Sequence, residues 1–107
     1  MGIKILWTDF AKSAVRSIFD YYLEHVSRNL ARKLVVGIVS ETKLLQFQPT
    51  IGTLEPLLEK DSRNFRYILY KSYKIIYWIN EDRKAIEIVD VFDSRQNPIK
   101  IRKRTVR

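Results

Sequence analysis

Cysteine is absent from this chain, and His25 is its sole histidine. The first absence excludes disulfides, thiolate metal sites and cysteine nucleophiles together. The second excludes two-histidine mechanisms and most zinc sites. Glycine and proline are scarce, at three each in 107 residues, while 46% of the residues are hydrophobic and 12% aromatic. That excludes a disordered or fibrous chain, which lacks the apolar mass to offset ordering entropy. No apolar run approaches the roughly 18 residues of a membrane span, and no charged-then-apolar leader opens the chain. The expectation is one cytoplasmic domain over residues 1–107 with one core, no membrane contact, and neither metal nor cofactor.

Acids are scarce as well: 12 against 20 bases, a net charge of +8. The excess is +3 over residues 1–53 and +5 over residues 54–107, and the last twelve residues hold five bases and no acid. Such a balance favours a polyanion or an acidic protein as partner, and also serves plain solubility.

Hydrophobic periodicity supplies the architecture. Ile3–Trp7 alternates as a strand does. Thr8 or Asp9 then offers an N-cap, and Ala11, Ala14, Val15, Ile18, Phe19, Tyr22, Leu23 and Val26 recur at helical spacing. Ser27 is a second cap, followed by Leu30, Ala31, Leu34, Val35, Ile38, Thr42 and Leu45. The spacing predicts helices near 9–25 and 28–46, folded as an antiparallel hairpin. Pro49 and Gly52 end the second helix, and 50–64 reads as a loop. Runs at 65–70, 73–79 and 84–92 are aromatic and β-branched, with turns at Lys71-Ser72 and Asn80 to Arg83. The fold class is α+β, in the order β-α-α-β-β-β, with the hairpin packed on an antiparallel sheet.

Three segments of this layout resemble the RelE/ParE superfamily of type II toxin–antitoxin toxins (plasmid stabilisation proteins). They are the helix exit Leu45-Gln46-Phe47-Gln48-Pro49-Thr50-Ile51-Gly52, the paired strands Phe65 to Tyr77 with Lys74 where arginine is usual, and the ending Val89 to Pro98 with Arg95-Gln96-Asn97-Pro98. The resemblance implies two mechanisms on one fold. RelE-like members are ribosome-dependent mRNA endoribonucleases; ParE-like members inhibit DNA gyrase and need no catalytic set. Both are sequestered by a cognate antitoxin, as a toxin–antitoxin hetero-oligomer, and a homodimer is also compatible.

Register arithmetic selects residues. A two-residue turn at Lys71-Ser72 sets Arg66 opposite Tyr77. A three-residue turn at Glu81-Asp82-Arg83 sets Tyr77 opposite Glu87 and Lys74 opposite Asp90. Arg66, Tyr77 and Glu87 then share one row on a face that Arg95 would join, suited to phosphate or carboxylate recognition. The plainer alternative is that Arg66 and Glu87 neutralise each other. The other face carries Phe65, Tyr67, Leu69, Lys74, Ile76, Trp78, Ile86, Ile88 and Phe92, and is assigned to the helices. That assignment leaves Ile75, Ile79, Val89 and Val91 as an antitoxin groove. A ribonuclease would draw on Arg66, Arg95, Lys74 and Lys60. Against it, no Tyr or His follows Arg95, and Lys60 stands between Glu59 and Asp61, whose charges hold an ammonium protonated. His25 suits the end of its helix as a cation on the dipole. The ParE-like reading is therefore preferred, with the ribonuclease as alternative. The tail bases Lys100, Arg102, Lys103 and Arg104 add contacts to target or antitoxin. They also motivate a second alternative, a non-toxic basic nucleic-acid-binding module.

Overall fold

The computed structural model describes residues 2–95. Strand β1 (Lys4–Trp7) leads into α1 (Asp9–His25) and α2 (Arg28–Lys43), the latter tightening into a 3₁₀ turn at Leu44–Gln46. Strand β2 (Thr53–Leu54), a 3₁₀ turn at Pro56–Leu58, and strands β3 (Arg66–Tyr70), β4 (Tyr73–Asn80) and β5 (Ala85–Asp93) follow. The five strands form one sheet in the order β1-β5-β4-β3-β2.

Local chemistry sets the helix ends. The Thr8 hydroxyl accepts from the Ala11 amide at 3.1 Å, and the Ser27 hydroxyl accepts from the Leu30 amide at 3.1 Å. Each satisfies one of the free donors of a first helical turn. Asp9 lies in the first turn of α1 and His25 in its last, complementary to the helix dipole. Ala11, Ala31, Leu34 and Ile38 bury the hairpin's inner side. At Gly37 the backbone of α2 comes so near β3 that a Cβ would stand 2.1 Å from the Tyr70 ring.

The sheet departs from expectation in three ways. First, β1 pairs with β5 in parallel, Trp7 opposite Ile88, so the sheet is mostly, not wholly, antiparallel. Second, the expected loop at 50–64 contains a further strand, β2, with Leu54 opposite Arg66. A two-residue strand carries no readable alternation, and so gives no periodic signal. Third, the turn after β4 includes Lys84, in the left-handed conformation at φ 51°, which makes it one residue longer than assumed. Arg66 does lie opposite Tyr77, but Tyr77 faces Ile88 and Trp78 faces Glu87. A bulge between Ile76 and Tyr77 shifts the pairing again, setting Ile76 opposite Asp90 and Lys74 opposite Phe92.

On β3 and β4 the side expected to meet the helices faces away from them, and the shifts move Ile86 and Ile88 to the side of Tyr77. Tyr73, Ile75, Tyr77, Ile86, Ile88 and Val91 pack with Ala11, Leu34, Ile38 and Leu45 under the helices. Phe65, Ile76 and Phe92 form a second cluster with Leu58, flanked by Tyr67, Trp78 and Val89. Of the residues assigned to the helical side, only Ile86 and Ile88 belong to its core. Because Ile75 and Val91 are buried there and Ile79 packs against that core, the expected groove of Ile75, Ile79, Val89 and Val91 does not exist.

Both sides of β4 are therefore core. Ile75 and Ile76 are each 0% exposed, though they belong to different clusters. Truncating either to alanine should cost about 2–5 kcal/mol, the range for large-to-small changes in packed interiors. Denaturant unfolding of Ile75→Ala and Ile76→Ala checks this; a change below about 1 kcal/mol for Ile76→Ala would mean that the second cluster is not a true core.

Candidate functional site

Arg66 and Tyr77 share a row as expected, but they act on the chain's own backbone. The Arg66 guanidinium donates through Nη1 to the carbonyls of Thr50 (3.2 Å) and Gly52 (2.8 Å). The Tyr77 hydroxyl donates to the Pro49 carbonyl at 2.7 Å and accepts from the Gly52 amide at 3.0 Å. Burial pushes the Tyr77 phenol above its ordinary range, partly offset by the Gly52 amide and the Arg66 charge. Gly52 is required at this approach: a Cβ would lie 2.5 Å from the Tyr77 hydroxyl and 2.8 Å from the Tyr67 carbonyl. The pair thus pins the segment that carries the chain from α2 to the sheet edge.

Glu87 is not in that row. It lies opposite Trp78, accepts from the Asn80 amide group at 2.6 Å, and stands 3.7 Å from Arg83. Lys74 reaches Glu55 instead of Asp90, with Nζ to Oε1 at 2.9 Å, and its ammonium lies 4.1 Å from the centre of the Tyr67 ring. The Glu55 side chain is completely buried; its other oxygen accepts from the Leu57 amide at 3.1 Å. Asp61 turns away from Lys60 to Arg63, which also lies over the Phe65 ring at 4.6 Å.

Arg95 repeats the arrangement of Arg63. In both cases arginine Nε donates to the aspartate two residues earlier at 2.9 Å, and the arginine amide donates to the same oxygen at 3.0 Å. The segments are Asp61-Ser62-Arg63 and Asp93-Ser94-Arg95. The Arg63 hydrogen bonds hold the Asp61 carboxyl at about 2, well below its ordinary 3.8, and Arg95 holds Asp93 down in the same way. Arg95 does not join Arg66: it lines a cleft of about 500 Å³ with Ser17, Tyr21, Tyr22, Tyr73 and Asp93. There the Tyr73 and Tyr22 hydroxyls are 3.3 Å apart, and burial pushes the Tyr73 phenol up.

Glu55, Asp61, Arg63 and Asp93 escaped sequence reasoning. The repeated Asp-Ser-Arg tripeptide was the available signal, since an aspartate readily bonds the amide two residues on. For Glu55 there was none, because nineteen residues separate it from Lys74. An apolar groove of about 520 Å³ runs along the hairpin, lined by Val15, Phe19, Leu23 and Val35, with Lys12, Arg16 and Asp20 beside it and Arg16 4.0 Å from Asp20. Among the described residues no three His, Cys, Asp or Glu side chains cluster to hold a metal, and no helix is long and apolar enough to cross a membrane. Lys100, Arg102, Lys103 and Arg104 lie outside the described residues.

Residues 5–98 match the family model described as the ParE toxin of the type II toxin–antitoxin system parDE. Among solved structures, the chain resembles one of the chromosomal ParDE system from P. aeruginosa, with TM-score 0.70 and 22% identity over 85% of this chain and 95% of that one. It resembles the RelBE2 toxin–antitoxin complex from Mycobacterium tuberculosis at TM-score 0.62 and 10% identity, over 87% and 92% of the chains. A free-state arginine-to-alanine mutant of the E. coli toxin RelE matches at TM-score 0.58 and 14% identity, over 99% and 96%. At these identities the structures speak to the fold. No protein with a curated description matches the chain.

Two outcomes follow from the site. Tyr77→Phe strands the Gly52 amide and Pro49 carbonyl, and should destabilise by about 1–3 kcal/mol in chemical denaturation. The Asp61–Arg63 pair stabilises the fold fully above about pH 4 and loses that contribution as pH falls toward 2, because the folded carboxyl titrates below its ordinary value. Asp61→Asn should lower stability at pH 6 by at most about 1 kcal/mol, given the pair's partial exposure. The gap to the unaltered chain should close near pH 2, which a pH series of denaturation curves reads directly.

Proposed function

The chain belongs to the ParE toxin family of type II toxin–antitoxin systems, and on that premise we propose that it arrests growth by binding a protein target such as DNA gyrase. A cognate antitoxin neutralises it. The carrying observation is that Arg66 and Lys74, the sheet cations a ribonuclease would draw on, are already engaged, while Lys60 and the Asp93-paired Arg95 remain exposed. Lys74 is held by Glu55, Arg63 by Asp61, Arg95 by Asp93, and Arg83 stands near Glu87. Arg66 is spent on two backbone carbonyls.

Cleavage of RNA through the 2′-hydroxyl needs a base, an acid and a free cation at the scissile phosphate. The only histidine, His25, ends α1 with its ring 4.6 Å from that of Tyr21, and the last tyrosine, Tyr77, is buried with its hydroxyl committed. Inhibition of a protein target asks only for a complementary surface. The apolar hairpin groove beside Lys12 suits an amphipathic antitoxin segment, apolar contact supplying affinity and the net positive charge of the chain supplying steering for an acidic one.

The purified chain should stall negative supercoiling by DNA gyrase and leave mRNA on programmed ribosomes uncut in primer extension. Arg95→Ala, at a guanidinium that is 75% exposed, should raise the inhibitory concentration roughly tenfold, the weight of one contact worth about 1.4 kcal/mol. Rapid A-site cuts abolished by Lys74→Ala or Arg66→Ala would overturn this reading in favour of the ribonuclease.

A further inference from the structure

The sheet face turned away from the helices combines an ammonium with aromatic planes. Lys74 Nζ lies 4.1 Å from the centre of the Tyr67 ring, and Trp78 stands four residues further along the same strand, half-buried in the cluster that Tyr67 also flanks. Cations beside stacking platforms are the chemistry by which proteins hold single-stranded nucleic acid. Here a carboxylate already occupies the cation: Glu55 Oε1 lies 2.9 Å from Lys74 Nζ.

Two features say that Glu55 is more than a solvating partner for Lys74. The Lys74 side chain keeps 21% of its exposure, and a four-carbon stem of that kind can carry its ammonium to water unaided. Glu55, by contrast, is 0% exposed at its side chain, a costly place for a carboxylate that an apolar residue could fill. Its second oxygen is fixed by the Leu57 amide, so the group cannot swing away to admit another anion.

We propose that Glu55 sets the target class of this chain: its carboxylate takes the place of a nucleic-acid phosphate at Lys74 and closes the outer sheet face to single-stranded RNA. The proposal rests on the reading of the chain as a toxin with a protein target, and names the residue that excludes the other kind. Opening the site requires only that the negative charge be removed while the side-chain volume is kept.

The test is fluorescence anisotropy of a labelled twelve-nucleotide oligouridylate with the full chain, in which the tail bases are common to every variant. Glu55→Gln should bind about tenfold more tightly than the unaltered chain. Its log affinity should fall more steeply with log salt by about 0.7, the slope of one added phosphate contact on a single strand. Adding Lys74→Met, which keeps an apolar stem, should abolish both gains. Glu55→Asp, which withdraws the carboxylate by one methylene, should give a smaller gain of about threefold, and serves if the glutamine variant unfolds. A folded Glu55→Gln chain with unchanged RNA affinity, or a gain that survives Lys74→Met, would overturn the proposal. Gyrase inhibition by the unaltered chain, measured on the same preparation, keeps the two readings separable, since either can fail while the other stands.

Discussion

Strand β4 has no exposed residue, and this constraint shapes the layers around it. A central strand buried on both sides needs two covers. The hairpin supplies one, through Leu34, Ile38 and Leu45. The other must come from the segment between α2 and β3, which is why that segment is not free loop. It adds β2 to the sheet edge, turns at Pro56–Leu58, and lays Leu58 on Phe65, Ile76 and Phe92. Arg66 and Tyr77 fasten its start by gripping the backbone at 49–52. Glu55 fastens its middle by gripping Lys74.

The same requirement accounts for the electrostatics. A cover that crosses the sheet beside Lys74 buries the Glu55 carboxylate, where an unpaired charge is costly, and Lys74 supplies its counter-charge. Arg63 shields the Phe65 ring with its guanidinium and carries its own aspartate. Carboxylates thus accompany cations at short range. Exposed bases such as Lys12, Arg28, Arg32 and Lys33 are left on the hairpin.

How much of this was legible depended on whether a local signal existed. The helix bounds were, because Thr8 and Ser27 combine cap chemistry with clear periodicity. The β3–β4 register was legible too, because Lys71-Ser72 leaves room for only a two-residue turn, with Lys71 at φ 53°. The β4–β5 register was not. The longer turn and the bulge at Ile76/Tyr77 each move the pairing by one, and one step reverses a face. Both sides of Tyr73–Ile79 are apolar, so no alternation was there to correct the error. Of the site, Arg66 beside Tyr77 was readable. The carboxylate partners of Lys74, Arg63 and Arg95 needed either the three-dimensional fold or recognition of the repeated Asp-Ser-Arg.

Charge acts on this molecule at two ranges, and they select different partners. At contact distance, Glu55, Asp61, Glu87 and Asp93 offset bases on the sheet side, so a phosphate arriving there meets groups already paired. At distances larger than the separation within each pair the pairs cancel and the net charge governs approach, damped by salt over a Debye length of about 8 Å. That charge is +8, five units of it from the last twelve residues. A polyanion is drawn in by such a field but finds few cations free to hold it on the sheet. An acidic protein is drawn in equally, and finds on the hairpin an apolar groove with Lys12 at its side and the Arg16–Asp20 pair along it. Apolar contact is insensitive to whether the nearby cations are paired, whereas phosphate binding is not. On the reading proposed above, a described surface that neutralises itself locally while the chain stays basic overall favours proteins over nucleic acids.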